Sequence, residues 1–141
     1  TELNIKMVNL DYLLSNSDFL SIHAPLTEET KHSFGETEFR NMKKTAFLIN
    51  TSRGPLVDEK SLYLALKEKQ IAGAALDVLE MEPPDWNTPL FALDNILVTP
   101  HISYYSEASY KELKTKTAEA VVLALQGKRP RDVVNPQVFN K

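Results

Sequence analysis

Four short apolar runs, Phe19 to Ala24, Ala46 to Ile49, Ile71 to Leu76 and Ile96 to Val98, recur at similar intervals along the chain. Each has strand length and none alternates with polar residues. That pattern predicts strands buried on both faces of a parallel sheet, whereas half-exposed antiparallel strands would alternate. Parallel neighbours need crossovers, so the segments between the runs should be helical. Asn9 is placed to cap a short helix bearing Leu10, Leu13 and Leu14. Gly35 to Met42 sets Phe39 and Met42 on one side, and Asp58 precedes Leu62, Ala65 and Leu66 at helical spacing. The expected fold class is α/β, a partial doubly wound parallel sheet of about four strands with right-handed crossovers.

Beyond the last run, Ser106 to Gln126 reads as one long helix. Its apolar stripe consists of Leu113, Thr117, Ala120, Val121, Ala124 and Leu125, and Gly127 and Pro130 end it. Residues 128–141 read as an extended tail, and the prolines between Glu80 and Pro89 mark a rigid loop. At 141 residues, the whole chain 1–141 fits a single domain. Sixteen basic against nineteen acidic side chains leave no basic footprint for nucleic acid. No apolar run approaches the roughly 20 residues of a membrane span. The absence of cysteine excludes disulfides, thiolate zinc sites and a cysteine nucleophile, and without a basic-then-apolar leader the expected compartment is the cytoplasm. The histidines lack metal-ligand spacing, so no metal is expected.

In an open α/β sheet, ligands bind beyond the carboxyl ends of the strands. Here the runs exit into Ala24-Pro25, into Asn50-Thr51-Ser52-Arg53-Gly54, into Asp77, and into Thr99-Pro100-His101. Arg53 can meet a carboxylate with two parallel hydrogen bonds, or form a surface ion pair. His101 is the side chain that titrates near neutral pH, fit to give or take a proton, or a structural histidine. Glu82, in the proline-rich loop, can support an imidazolium or be one surface acid among Glu80 and Asp85. Asp77 can accept from a ligand amide or cap the next turn. His23 and His32 are read as bystanders, His23 ending a buried strand and His32 in solvent. Asn50-Thr51-Ser52 matches a glycosylation acceptor only by chance.

Together the strings Ser17-Asp18 through His23-Ala24-Pro25-Leu26-Thr27 with Thr30, Met42-Lys43, Leu48 to Gly54, Gly73 to Val78, Glu82-Pro83 and Thr99-Pro100-His101 resemble one family. That family is the D-isomer-specific 2-hydroxyacid dehydrogenases. The run His101-Ile102-Ser103-Tyr104-Tyr105-Ser106-Glu107 is most similar to its C-terminal-binding-protein branch. The resemblance implies a Rossmann-like sheet and hydride transfer between NAD(P)H and a 2-oxo acid. Arg53 would bind the substrate carboxylate, and Glu82 and His101 would form the acid-base pair. It further implies that Ala24, Pro25 and Thr30 lie along the adenosine, that Thr51 and Ser52 pass the cofactor, and that Asp77 holds the carboxamide. Arg53 and His101 would touch cofactor as well as substrate, and Tyr104 would line the substrate pocket or else pack at the helix start.

The family's G-x-G-x-x-G turn is missing, because Gly35, Gly54, Gly73 and Gly127 are too far apart to form it. With Thr1 first, the chain is therefore expected to be the carboxy-terminal part of a dinucleotide-binding domain, binding its cofactor weakly alone. NAD is the expected cofactor, with NADP open. An NADH-sensing, corepressor-like interaction module and an inactive truncated remnant are the other readings. The long helix's stripe suggests a homodimer.

Overall fold

The computed structural model describes residues 5–139. Four parallel strands form one sheet in the order β1-β2-β3-β4: β1 (Phe19–Ile22), β2 (Phe47–Asn50), β3 (Gly73–Leu76) and β4 (Ile96–Val98). Three helices interleave with them. These are α1 (Leu10–Asn16), α2 (Glu36–Asn41) and α3 (Glu59–Lys67). The caps lie where the sequence puts them: the Asn9 side chain accepts from Tyr12 N–H, and Asp58 accepts from Ser61 N–H at 2.6 Å. Each holds one of the amides that a helix leaves without an internal partner. β3 passes to β4 without an α-helix, through the proline-rich loop and a 3₁₀ turn at Pro89–Ala92.

Register explains the core. Leu20, Leu48 and Ala74 are aligned across β1 to β3, as are Ile22, Asn50 and Leu76. All six are buried, together with Leu14, Phe39, Leu62, Ala65 and Leu66 from the helices. Each fully buried leucine contributes about 2 kcal/mol through the apolar surface it removes from water. The opposite face differs from the expectation of strands buried on both sides. Phe19 is 70% exposed, Phe47 41% and Leu97 63%, and the Phe19 and Phe47 rings stack at 5.5 Å. The reason is topological. Strand order advances one way, and right-handed crossovers made in one direction put α2 and α3 on the same face. These strands thus hold one winding of a doubly wound sheet.

The chain divides into one unit ending at Ser103 and a second beginning at Tyr104. The second unit is dominated by α4 (Glu107–Leu125), capped by the Ser106 side chain and closed by Gly127 at a φ of 68°. No residue of α4 is buried, and Leu125 is 84% exposed. After Gly127 the tail has no helix or strand until a 3₁₀ turn at Pro136–Phe139. Among the described residues, no helix is long and apolar enough to cross a membrane.

Candidate active site

Because Ile22, Asn50, Leu76 and Val98 are aligned neighbours, the segments that follow them emerge on one rim. Asn50 is fully buried and builds the first of these exits. Its amide donates to the Arg53 carbonyl at 2.9 Å, and its oxygen accepts from Ser52 N–H at 3.0 Å, closing a tight turn. The Ser52 hydroxyl ties that turn to the end of β1 through the Ile22 carbonyl, at 2.7 Å. Arg53 is held at the exposed crest, its guanidinium donating to the Ser52 carbonyl at 2.6 Å. Among the described residues no carboxylate pairs with it. Gly54 then passes so close to the next loop that a Cβ there would lie 1.9 Å from the Leu79 carbonyl oxygen. That contact brings the Arg53 turn against the segment that carries Glu82.

Asp77 continues β3 and is 4% exposed. Thr99 hydroxyl and Ile102 N–H donate to its Oδ1 at 2.5 and 2.9 Å, and Ser103 N–H donates to Oδ2 at 2.8 Å. Burial acts to raise its pKa, but the donors from Thr99, Ser103 and Ile102 outweigh it and hold the group at about 2. Of the two roles read for Asp77, the structure realises the turn cap. The turn contains His101 at a φ of 54°, in the left-handed region that costs a non-glycine residue on the order of 1 kcal/mol. His101 Nδ1 lies 2.8 Å from Glu82 Oε2, the N–H donating to the carboxylate. Glu82 Oε1 accepts from Leu79 N–H at 3.1 Å. The His101 hydrogen bond, opposed by burial and aided by Leu79 N–H, holds Glu82 below the usual carboxylate range. A hollow of about 630 Å³ opens beside the pair, walled by Leu79, Pro84, Trp86, Phe91 and Val98.

The other expected positions are more dispersed. Ala24 is half-buried, Pro25 exposed, and the Thr30 hydroxyl donates to the Pro25 carbonyl at 2.7 Å, shaping the loop after β1. Thr51 is exposed on the rim. Tyr104 belongs to the second unit, its ring edge-on to Tyr105 at 6.4 Å. His23 is exposed rather than buried and bonds Ser21 Oγ at 2.9 Å, because the strand ends one residue before it. His32 is exposed, as read, and its ring also meets two carboxylates: Nδ1 lies 3.6 Å from Asp58 and Nε2 3.2 Å from Glu80. Asn50, Gly54 and Thr99 carry the site's construction without having been singled out as site residues. The signals were an amide ending an apolar run, a glycine directly after the arginine, and a hydroxyl two positions before the histidine.

An open parallel sheet that gathers an arginine, a carboxylate-supported histidine and a small-residue turn at its strand ends belongs to the nucleotide-binding α/β class. Residues 1–103 match the family described as D-isomer specific 2-hydroxyacid dehydrogenase, NAD binding domain, and the chain belongs to that family. It is 47% identical over 137 residues to a glyoxylate reductase of Korarchaeum cryptofilum, covering 97% of this chain and 41% of that protein. It is 42% identical over 135 residues to a glyoxylate/hydroxypyruvate reductase B of Escherichia fergusonii, covering 96% and 42%. The NAD-complexed D-isomer specific 2-hydroxyacid dehydrogenase of Lactobacillus delbrueckii ssp. bulgaricus superposes with a TM-score of 0.85 at 33% identity, covering 94% of this chain and 44% of that one. The chain spans about two-fifths of the length of the curated relatives it matches.

NAD is the cofactor of this family, and the rim offers polar side chains that fit it. Thr51 and Arg53 are exposed there, and Asp77 Oδ2 takes a single bond. The four glycines of the chain do not supply a G-x-G-x-x-G turn for the pyrophosphate.

Proposed function

We propose that this chain is the catalytic-residue-bearing, carboxy-terminal part (1–141) of an NAD-dependent D-2-hydroxyacid dehydrogenase acting on a small 2-oxo acid or its 2-hydroxy product. The observation that carries the reading is the His101–Glu82 hydrogen bond of 2.8 Å on the rim that also presents Arg53. Arg53, without a carboxylate partner among the described residues, is suited to take the substrate carboxylate in a bidentate grip. Nicotinamide, when bound, supplies the hydride. His101, its Nδ1–H directed to Glu82, delivers a proton from Nε2 to the carbonyl oxygen as the hydride arrives at the carbon. Glu82 steadies the imidazolium before transfer and fixes the ring's tautomer after it. In the oxidative direction the neutral imidazole takes that proton back.

Thr51, Ser52 and Asp77 would contact the nicotinamide side of the cofactor, with Arg53 and His101 against it. Ala24, Pro25 and Thr30 would follow the adenosine. Tyr104 is the proposed wall of the substrate pocket, a homodimer the proposed assembly and the cytoplasm the proposed compartment. NADP stays an alternative to NAD. The names of the relatives make glyoxylate and hydroxypyruvate the first substrates to try. Loss of NADH absorbance with either acid tests the reading. His101→Asn is expected to slow turnover by about 10²-fold or more. An unchanged rate in that variant would remove His101 from the chemistry.

A second reading, an NADH-controlled interaction module, draws on the Tyr104-Tyr105 pair, residues that are 54% and 61% exposed. Partner capture that switches with NADH while 2-oxo acids go unreduced would favour it.

A further inference from the structure

We propose that Asp77 and Thr99 form a clamp that positions His101, a role separate from any contact Asp77 makes with cofactor. The inference rests on reading His101 as the proton donor, and it adds what sets that donor's orientation.

Four hydrogen bonds carry it. The backbone carbonyl of Asp77 accepts from His101 N–H at 2.9 Å. The Asp77 carboxylate accepts from Thr99 Oγ1, two residues before the histidine, and from Ile102 and Ser103 N–H, one and two residues after it. One side chain therefore grips the turn on both sides of His101, while its own main chain holds the histidine amide. Left to itself, a histidine spends little time at a φ of 54°, and such a conformation persists where its surroundings over-determine it. An exposed turn could have its amides satisfied by water. Placing an almost fully buried carboxylate under this one, with every described donor drawn from residues 99–103, is the costlier construction. What it gains is a fixed direction for the imidazole.

That direction matters because Glu82 is anchored independently. It reaches Nδ1 from the proline-rich loop, where Leu79 N–H holds its other oxygen. Two separately anchored loops must agree for the 2.8 Å contact to form. Thr99 is the part of the clamp that can be altered most gently. Its hydroxyl donates to Asp77 and its backbone N–H continues the sheet pairing to the Leu76 carbonyl at 2.9 Å, so Thr99→Val removes the donor and leaves the strand end intact.

The test is nitrogen-15 NMR of the histidine side chains in the 141-residue chain, which reads the His101 tautomer and its Nδ1–H proton. Wild type is expected to hold the Nδ1–H tautomer with a proton signal that disappears in Glu82→Gln, which assigns it. Thr99→Val and Asp77→Ala are expected to lose that signal and shift population to the Nε2–H tautomer, while Thr99→Ser retains it. A wild-type signal in Thr99→Val and in folded Asp77→Ala overturns the clamp. If Asp77→Ala does not fold, Thr99→Val decides alone. The measurement needs neither cofactor nor turnover. A displaced tautomer in a chain that reduces no 2-oxo acid would sink the enzymatic reading and leave the clamp, and turnover with an undisturbed tautomer would do the reverse.

Discussion

A carboxylate withdrawn from water keeps its charge only where donors replace the lost hydration, and Asp77 has three of them. The consequence is a pH dependence with a definite sign. Its folded value, about 2, lies below the ordinary 3.8, so folding favours the ionised form. The stability this confers is complete above the ordinary value and is lost as pH falls through it toward about 2. The difference is on the order of 2 kcal/mol. Asp58 and Glu82 are also lowered and act in the same direction. Glu59 acts in the opposite direction: burial and the Glu80 carboxylate raise it, so its contribution disfavours the folded state as pH rises through its range. Urea unfolding of wild type and Asp77→Asn isolates the one residue. Wild type is expected to lose about 2 kcal/mol more than the variant between roughly pH 6 and pH 2. Equal losses would mean that Asp77 titrates alike in both states. The sequence could offer only two alternatives for this residue, a ligand contact or a cap. The donors that make it a cap sit 22 to 26 positions away, and no local pattern announces such a pairing.

At the scale of elements, the sheet was legible because apolar runs of strand length recur, and two caps because Asn9 and Asp58 stand just before periodic helices. The bare sheet face was not legible. A run such as Phe19 to Ile22 looks the same whether one face or two are covered, and strand order decides which. Gly127 was legible as a helix stop, but the reason for glycine at 54 was not, and the two serve opposite purposes. Gly127 has open space around it and is required by a positive φ, whereas Gly54 is required because the Leu79–Glu80 backbone occupies the place of its Cβ. A methyl group at 54 can be accommodated only by pushing two main chains apart. Gly54→Ala is therefore expected to destabilise the first unit by about 3 kcal/mol. It should also weaken the seating of Arg53 beside the Glu82 loop. Equilibrium denaturation measures the first effect, and a midpoint within error of wild type would show that the two loops part freely.

At the largest scale, each unit leaves large apolar side chains in water. In the first unit Phe19, Phe47 and Leu97 are exposed on the sheet, and in the second Leu113, Val121, Val122 and Leu125 are exposed along α4. The sequence identified the α4 stripe from its spacing, and the structure leaves it uncovered among the described residues. A 19-residue helix with no buried side chain draws its stability from contacts that it has still to make. A second copy of the chain offers the same stripe, and two copies related by a two-fold axis would cover both at once. Sedimentation velocity across a range of concentrations is expected to show a monomer-dimer equilibrium. Val121→Asp, on the exposed stripe, should shift it to monomer without changing the urea midpoint of the first unit. A wild-type chain that sediments as a monomer at every concentration would rule out α4 as a self-association surface.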